Sequence, residues 1–186
     1  MIKYIRVCFY ILYSLVRFSS MKLFHLNGFK FSLLNLISPF TEIDIGKNSK
    51  LSLGKKVNFK SGSKLRVRKG AKLKIGRNTF LNHGCLLVAH EKIVVGNDVQ
   101  LGPNVLIYDH DHDFKKKDGL KNSQYKTSPV EIGDNVWIGA NTVILRGTKI
   151  GDNCVIGAGS VIKGEFPSNS IILQKRENKV LPYQFE

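Results

Sequence analysis

The sequence predicts an all-β solenoid, a three-sided coil of short stacked strands, and three observations carry that prediction. Ile132, Ile138, Ile144, Ile150, Ile156 and Ile162 recur at every sixth residue. Gly133, Gly139, Gly151 and Gly157 follow four of them, and Val136, Thr142, Thr148, Cys154 and Ser160 put a small residue at the fifth place of five hexads. The chain also holds 17 glycines and few helix-favouring runs after residue 40, a balance that suits strands and corners rather than a helical bundle. An α-helix turns by about 100° per residue, so a period of six would scatter the isoleucines around its surface. A chain that makes a short strand, bends on the glycine side and repeats instead stacks every isoleucine inside a prism.

Residues 1–40 stand outside this rhythm and are expected to form an N-terminal amphipathic helical segment. On a helix, Lys3, Arg6, Tyr10, Tyr13, Ser14 and Arg17 share one side, while Ile2, Ile5, Phe9, Leu12, Leu15 and Val16 cover the rest. The uncharged stretch from Val7 to Val16 is about half of the roughly 20 residues a spanning helix needs. Ser14 to Ser20 offers no small-x-small cleavage site. The two readings that remain are a helix lying in a membrane interface and a helix covering the open end of the solenoid or packing between subunits.

The solenoid is expected over residues 41–172. Ile45 and Leu51, then Leu53, Phe59 and Leu65, then Ile75, Leu81 and Leu87, then Val95, Leu101 and Ile107 mark inward places. Three hexads make one turn of a three-sided coil, and the slips between groups read as bulges at corners. After Ile107 the rhythm stops and resumes at Val130 and Ile132. The gap, residues 108–130, is polar, carries four aspartates and two histidines, and predicts a protruding loop. Long loops in otherwise strict solenoids tend to carry function. Residues 173–186 form a tail with Lys175, Arg176 and Lys179.

The net charge of +15 is uneven: no Asp or Glu occurs from Ile45 to His90, a stretch holding twelve Lys and Arg. Such a field attracts an anionic membrane or an acidic glycan, or serves only as a solvated face. No aromatic platform, reading helix or zinc module accompanies it, so nucleic acid is not an expected partner. Cys8, Cys85 and Cys154 lie far apart, and Cys85 and Cys154 read as small buried thiols.

Chemistry is expected in Asp109, His110, Asp111, His112 and Asp113. A histidine flanked by carboxylates is held in one tautomer and gains basicity, which suits a general base near neutral pH. A metal site using His110 and His112 with His83 or His90 is the second reading, although no spacing fixes a third ligand. The sequence has no GxSxG elbow, no cysteine beside a histidine and no phosphate-cradling loop. A base without a nucleophile points to direct transfer onto an acceptor's own hydroxyl.

The run PVEIGDNVWIGANTVILRGTKIGDNCVIGAGSVI, with FLNHGCLLVAHEKIVVGNDVQLGPNVLIYDH before it, resembles the bacterial hexapeptide-repeat sugar O-acetyltransferases, the group that contains galactoside and maltose acetyltransferases. The resemblance covers about residues 75 to 172, and the arrangement around DHDH resembles members that modify capsule, O-antigen or lipopolysaccharide sugars. It implies a left-handed parallel β-helix, an exception to the right-handed crossover rule. It also implies a homotrimer with acetyl-CoA between neighbouring coils and active sites between subunits. By position His110 matches the catalytic histidine, with His112, across a one-residue gap, as its substitute. Asn82 matches an acceptor-binding asparagine, and His90 stands where relatives place an acceptor-binding acid. Asp109 or Asp111 would orient the imidazole. Trp137 matches a tryptophan that flanks sugar or pantetheine, Gly139, Ala140 and Ala158 the positions that hold the pantetheine arm, and Lys163 a position near the cofactor. Relatives usually close with a GVPAKVI-like segment, whereas this chain has ILQKRENKV; Lys175 or Arg176 would then meet the CoA phosphates.

The expected function is therefore acetyl transfer from acetyl-CoA to a sugar hydroxyl of a cell-surface polysaccharide or its precursor, in the cytoplasm, with peripheral contact to the inner membrane. An N-acetyltransferase for amino sugars, a zinc lyase of the γ-carbonic-anhydrase type and a non-catalytic glycan-binding β-helix are the alternatives.

Overall fold

The computed structural model describes residues 2–175 and 181–182, the side chains of 2–4 and 6 excepted. Within them, one helix, Ile2–Phe24, precedes 22 short strands. Every third strand of the coil falls on the same side, so the chain builds parallel sheets of seven, seven and six strands, and the two remaining strands, His110–His112 and Tyr125–Thr127, form an antiparallel hairpin. Sheet 1 runs from Phe29–Phe31 to Glu165–Phe166, sheet 2 from Leu36–Ile37 to Ile171–Ile172, and sheet 3 from Glu42–Ile45 to Val161–Ile162. The architecture is a left-handed parallel β-helix.

The core is the stack of inward side chains. Ile132, Ile138, Ile144, Ile150, Ile156 and Ile162 are all buried, as are the earlier inward residues from Ile45 to Ile107. The small residues at the fifth places are buried too, and their polar atoms are satisfied inside the stack. Thr142 Oγ1 donates to the Gly157 carbonyl at 3.2 Å, Ser160 Oγ to the same carbonyl at 2.6 Å, and Thr148 Oγ1 to Leu145 and Ile162. Cys85 and Cys154 are free, buried thiols. Burial pushes the Cys85 thiol up to about 11.

The slips in the six-residue rhythm are longer sides, not corner bulges. Leu51 stands beside Leu73, 22 residues on, whereas Ile132 stands beside Ile150, 18 residues on. Early strands such as Lys50–Leu53 and Lys64–Val67 are four residues long and alternate exposed and inward places, so each buries two side chains per side. Late strands such as Trp137–Ile138 hold two residues and bury one. The glycines after the isoleucines also act differently from the bend expected of them. The left-handed corner residues of these four hexads are Asn135, Asn141, Asn153 and Gly159, with φ of 54° to 70°. Gly139 is required by close stacking instead, since a Cβ there would lie 2.5 Å from the Ala158 nitrogen in the next coil.

The coil also starts earlier than residue 41: Phe29 pairs with Leu51, and Ile37 pairs with Phe59. The helix covers this first coil with the side expected to be its polar one. Ser14 is buried and its Oγ accepts the Ile37 N–H at 2.9 Å; Arg17 donates to the Thr41 carbonyl at 2.8 Å. Phe18, 1% exposed, meets the rings of Phe29 and Phe31, each with centroids 5.2 Å away. Counted across Arg17, the window Val7–Phe24 spans 18 residues at mean hydropathy 1.3, which by length and composition alone suffices to cross a membrane. The shorter Val7–Val16 core read from the sequence understates it.

Candidate active site

The protruding loop is an ordered hairpin. After the sheet 3 strand Leu106–Tyr108, the segment His110–His112 pairs antiparallel with Tyr125–Thr127, setting His110 opposite Thr127 and His112 opposite Tyr125. Contacts within the hairpin and one to the next coil fix it in place. Ser128 N–H donates to the Asp109 carbonyl at 2.9 Å, and Asp111 pairs with Arg146 from the next coil. Asp113, almost wholly buried, meets Lys126 at 3.3 Å and Lys116 at 3.7 Å.

Asp109 organises the base of the hairpin. It is fully buried, and one carboxylate oxygen accepts the His90 N–H while the other accepts those of Glu91 and Lys92, each at 2.8 Å. Its Oδ1 also lies 3.3 Å from His110 Nδ1. Burial alone would raise its pKa. The hydrogen bonds from His110 and the three backbone N–H groups outweigh that and hold the carboxyl below its usual range. A carboxylate acceptor at Nδ1 fixes the tautomer that carries its proton there, which leaves Nε2 as the basic nitrogen of His110.

Aromatic rings wall this imidazole, whose side chain is 12% exposed. His90 lies 3.9 Å from it between centroids, Tyr125 5.2 Å and Tyr108 5.8 Å, and Tyr125 also contacts His90 at 4.2 Å and His112 at 4.8 Å. Burial, followed by the positive charge His110 can carry, pushes His90 down to about 4 despite Asp109. His90 is therefore neutral near pH 7 and faces the site as a hydrogen-bonding and stacking ring, not as a cation.

Of the residues singled out in the sequence, His90, Asp109, His110 and His112 come together here. Asn82 stands after the sheet 2 strand Phe80–Leu81, with its Oδ1 accepting the His83 N–H at 2.9 Å. Trp137 is 57% exposed on sheet 2, paired in register with Gln100 and Val155. Gly139, Ala140 and Ala158 stack at the corner between sheets 2 and 3, where a Cβ on Gly102 would meet the Ala140 nitrogen at 2.7 Å, just as Gly139 faces Ala158. Lys163 is exposed after the strand Val161–Ile162, at the same corner of the prism as His110 and Arg146. Lys175 is exposed, and Arg176 lies outside the described residues. Among the described residues no three His, Cys, Asp or Glu side chains converge as metal ligands.

Sequence reasoning missed Tyr125 and Arg146. Tyr125 sits in the return half of the gap, and only the hairpin register brings it against His112. Arg146 occupies a corner position of the hexad 144–149, where its charge was the available signal, and only the winding sets it against Asp111.

The winding and the buried ladder define a hexapeptide-repeat β-helix, and residues 129–164 match the family described as bacterial transferase hexapeptide (six repeats). The similarity to sugar O-acetyltransferases read from the sequence holds in the comparisons. The chain is 37% identical over 96 residues to a galactoside O-acetyltransferase of Escherichia coli, covering 52% of this chain and 47% of that protein. It is 33% identical over 103 residues to a putative lipopolysaccharide biosynthesis O-acetyl transferase, WbbJ, of the same species, covering 51% of this chain and 53% of that one. These matches thus span about half of each relative. Among solved structures, a maltose O-acetyltransferase from Clostridium difficile 630 aligns with a TM-score of 0.56 at 41% identity, over 65% of this chain and 63% of that one.

Proposed function

We propose that the chain is an O-acetyltransferase that moves an acetyl group from acetyl-CoA to a sugar hydroxyl of a cell-surface polysaccharide or its precursor. The observation that carries this is His110, its Nδ1 held by a buried carboxylate that three backbone N–H groups fix in place. Nε2 of His110 takes the proton of the acceptor hydroxyl as its oxygen attacks the thioester carbonyl. The tetrahedral adduct then collapses by breaking the C–S bond, and the imidazolium returns the proton to the departing thiolate. Asp109 stabilises the imidazolium formed in between, and such a base contributes on the order of 10²–10⁴ in rate. Juxtaposing the two substrates contributes more.

The acyl donor lies along the Gly139, Ala140 and Ala158 corner with Trp137 at its flank, Lys163 reaches it from the His110 corner of the neighbouring subunit, Lys175 meets the CoA phosphates, and Asn82, His90 and His112 face the acceptor. His110 and the Ala140 and Ala158 ladder occupy opposite edges of sheet 3 in one protomer. One site that uses both therefore takes them from neighbouring subunits, which supports a homotrimer. The test is release of free thiol from acetyl-CoA against a panel of surface glycans, nucleotide sugars and amino sugars. Hydroxyl-bearing sugars are expected to drive release with an ester product, whereas release only with amino sugars, or stoichiometric zinc with no thiol release, overturns the proposal.

A further inference from the structure

The helix Ile2–Phe24 carries two opposed stripes. Tyr10, Ser14, Phe18 and Met21 face the first coil. Ile5, Phe9, Leu12, Val16 and Leu23 face away from it and are 55–73% exposed. At 3.6 residues per turn these five fall within about 60° of one another, so Ile5, Phe9, Leu12 and Val16 form one apolar strip that resumes at Leu23 beyond the exposed Ser19 and Ser20. Phe24 and Leu26 prolong it, at 83% and 64% exposed. A strip of this length on a helix is a contact surface, not scattered exposure.

The charge sits beside it. Leu23, Phe24 and Leu26 line one groove together with Lys47 and Lys50. Outward on sheet 1, Lys50 stacks beside Lys72, with Lys74 and Lys30 on the same face. Among the described residues none of these five lysines is within ion-pair distance of a carboxylate. On sheet 1 beyond Lys74 the lysines are paired, Lys92 with Glu131 and Lys149 with Glu165, and on the other sides Lys64 and Arg66 pair with Glu42, Arg68 with Asp44 and Arg77 with Asp98. The unpaired positive charge of sheet 1 thus gathers at the end that bears the apolar strip. A second copy of the chain would bring the same charge and be repelled by it, whereas an anionic bilayer satisfies both features at once.

We infer that this end of the β-helix docks on an anionic phospholipid surface. The helix lies in the plane of the interface, its Ile5 to Leu23 strip enters the acyl-chain boundary, and Lys30, Lys47, Lys50, Lys72 and Lys74 sit over the headgroups. Ser14, Arg17 and Phe18 hold the helix along the first coil, so docking needs no rearrangement, whereas crossing the bilayer requires those contacts to break.

The test is flotation of the full-length protein with vesicles of phosphatidylcholine alone or mixed with phosphatidylglycerol. Binding is expected to the mixed vesicles only, and to fall by about tenfold or more in high salt. Phe9→Glu with Leu12→Glu removes it, and Lys47→Glu with Lys50→Glu weakens it by about tenfold or more. All four positions are exposed, and unchanged circular-dichroism melts confirm that the variants fold. Equal binding to both lipid mixtures, or to neither, overturns the inference. So does resistance to an alkaline wash, which marks a spanning helix. A concentration-dependent dimer that the Phe9→Glu, Leu12→Glu variant abolishes, without vesicle binding, gives the strip to a second copy and overturns it equally.

Discussion

Asp109→Asn separates the positioning carboxylate from the imidazole it serves. Each Asp109 oxygen faces two donors: Oδ1 the His90 N–H and His110 Nδ1, Oδ2 the Glu91 and Lys92 N–H groups. An asparagine retains one acceptor oxygen and turns an NH2 group toward the other pair, so two hydrogen bonds to a charged acceptor are lost in a fully buried site. At about 1.5–3 kcal/mol each, the loss is about 3–6 kcal/mol, or on the order of 10 °C in Tm for a chain of this size. The second consequence is chemical. With the amide against it, Nδ1 becomes the acceptor and Nε2 carries the proton, so kcat is expected to fall by about 10²–10⁴. Thermal melts and a thiol-release assay on the purified protein read both effects. An Asn variant with wild-type Tm and wild-type turnover would refute the reasoning.

Other perturbations address neighbouring parts of the site. His90 is pushed from its ordinary 6.5 down to about 4, by burial first, then by His110, with Arg68 and His112 adding to the effect and Asp109 opposing it. Below pH 6.5 the unfolded chain takes up a proton that the folded one refuses, so stability should drop between about pH 6.5 and 4. His90→Gln should flatten Tm against pH across that window. Asp109, whose pKa is also lowered, acts with the same proton balance in a more acidic window: its contribution is present above the ordinary carboxyl pKa and is lost as the pH falls below it. Gly139→Ala drives a Cβ to 2.5 Å from the Ala158 nitrogen, so the coils must part. A loss of about 1–3 kcal/mol is expected in denaturant unfolding. Arg146→Ala frees Asp111 and one fastening of the hairpin; for so exposed a pair the stability cost is at most about 1 kcal/mol. Trypsin cleavage at Lys115 to Lys117 should nevertheless quicken, and a variant cleaved at the wild-type rate would show that the pair does not hold the loop.

The hexads were legible because the sequence repeats what the packing repeats. Each isoleucine from Ile132 to Ile162 meets its counterpart in the adjacent coil, so one period of six encodes one side. Upstream, Leu51 with Leu53 and Leu65 with Val67 mix a period of two into that rhythm, and the longer sides look like slips. The first coil was hidden for a related reason: Phe29, Phe31 and Ile37 lack the Ile-Gly signature, and their role depends on Phe18 arriving from the helix. The orientation of that helix was not legible either. An amphipathic pattern says which residues share a side, but only the partner decides which side is buried, and here the first coil takes Ser14 and Arg17 through backbone hydrogen bonds. At the site, the DHDHD run located the chemistry. It did not tell Asp109 from Asp111, because the difference lies in the backbone N–H groups of residues 90 to 92, which only the winding brings to Asp109.

The most direct measurement compares His110→Ala with His112→Ala in acetyl-CoA turnover, alongside calorimetric binding of CoA. The account predicts that His110→Ala loses about 10²–10⁴ in kcat with CoA affinity unchanged, and that His112→Ala, whose ring lies on the exposed face of the hairpin, keeps turnover within about tenfold. Near-normal turnover in His110→Ala, with the large loss falling on His112→Ala, would contradict the assignment of the base.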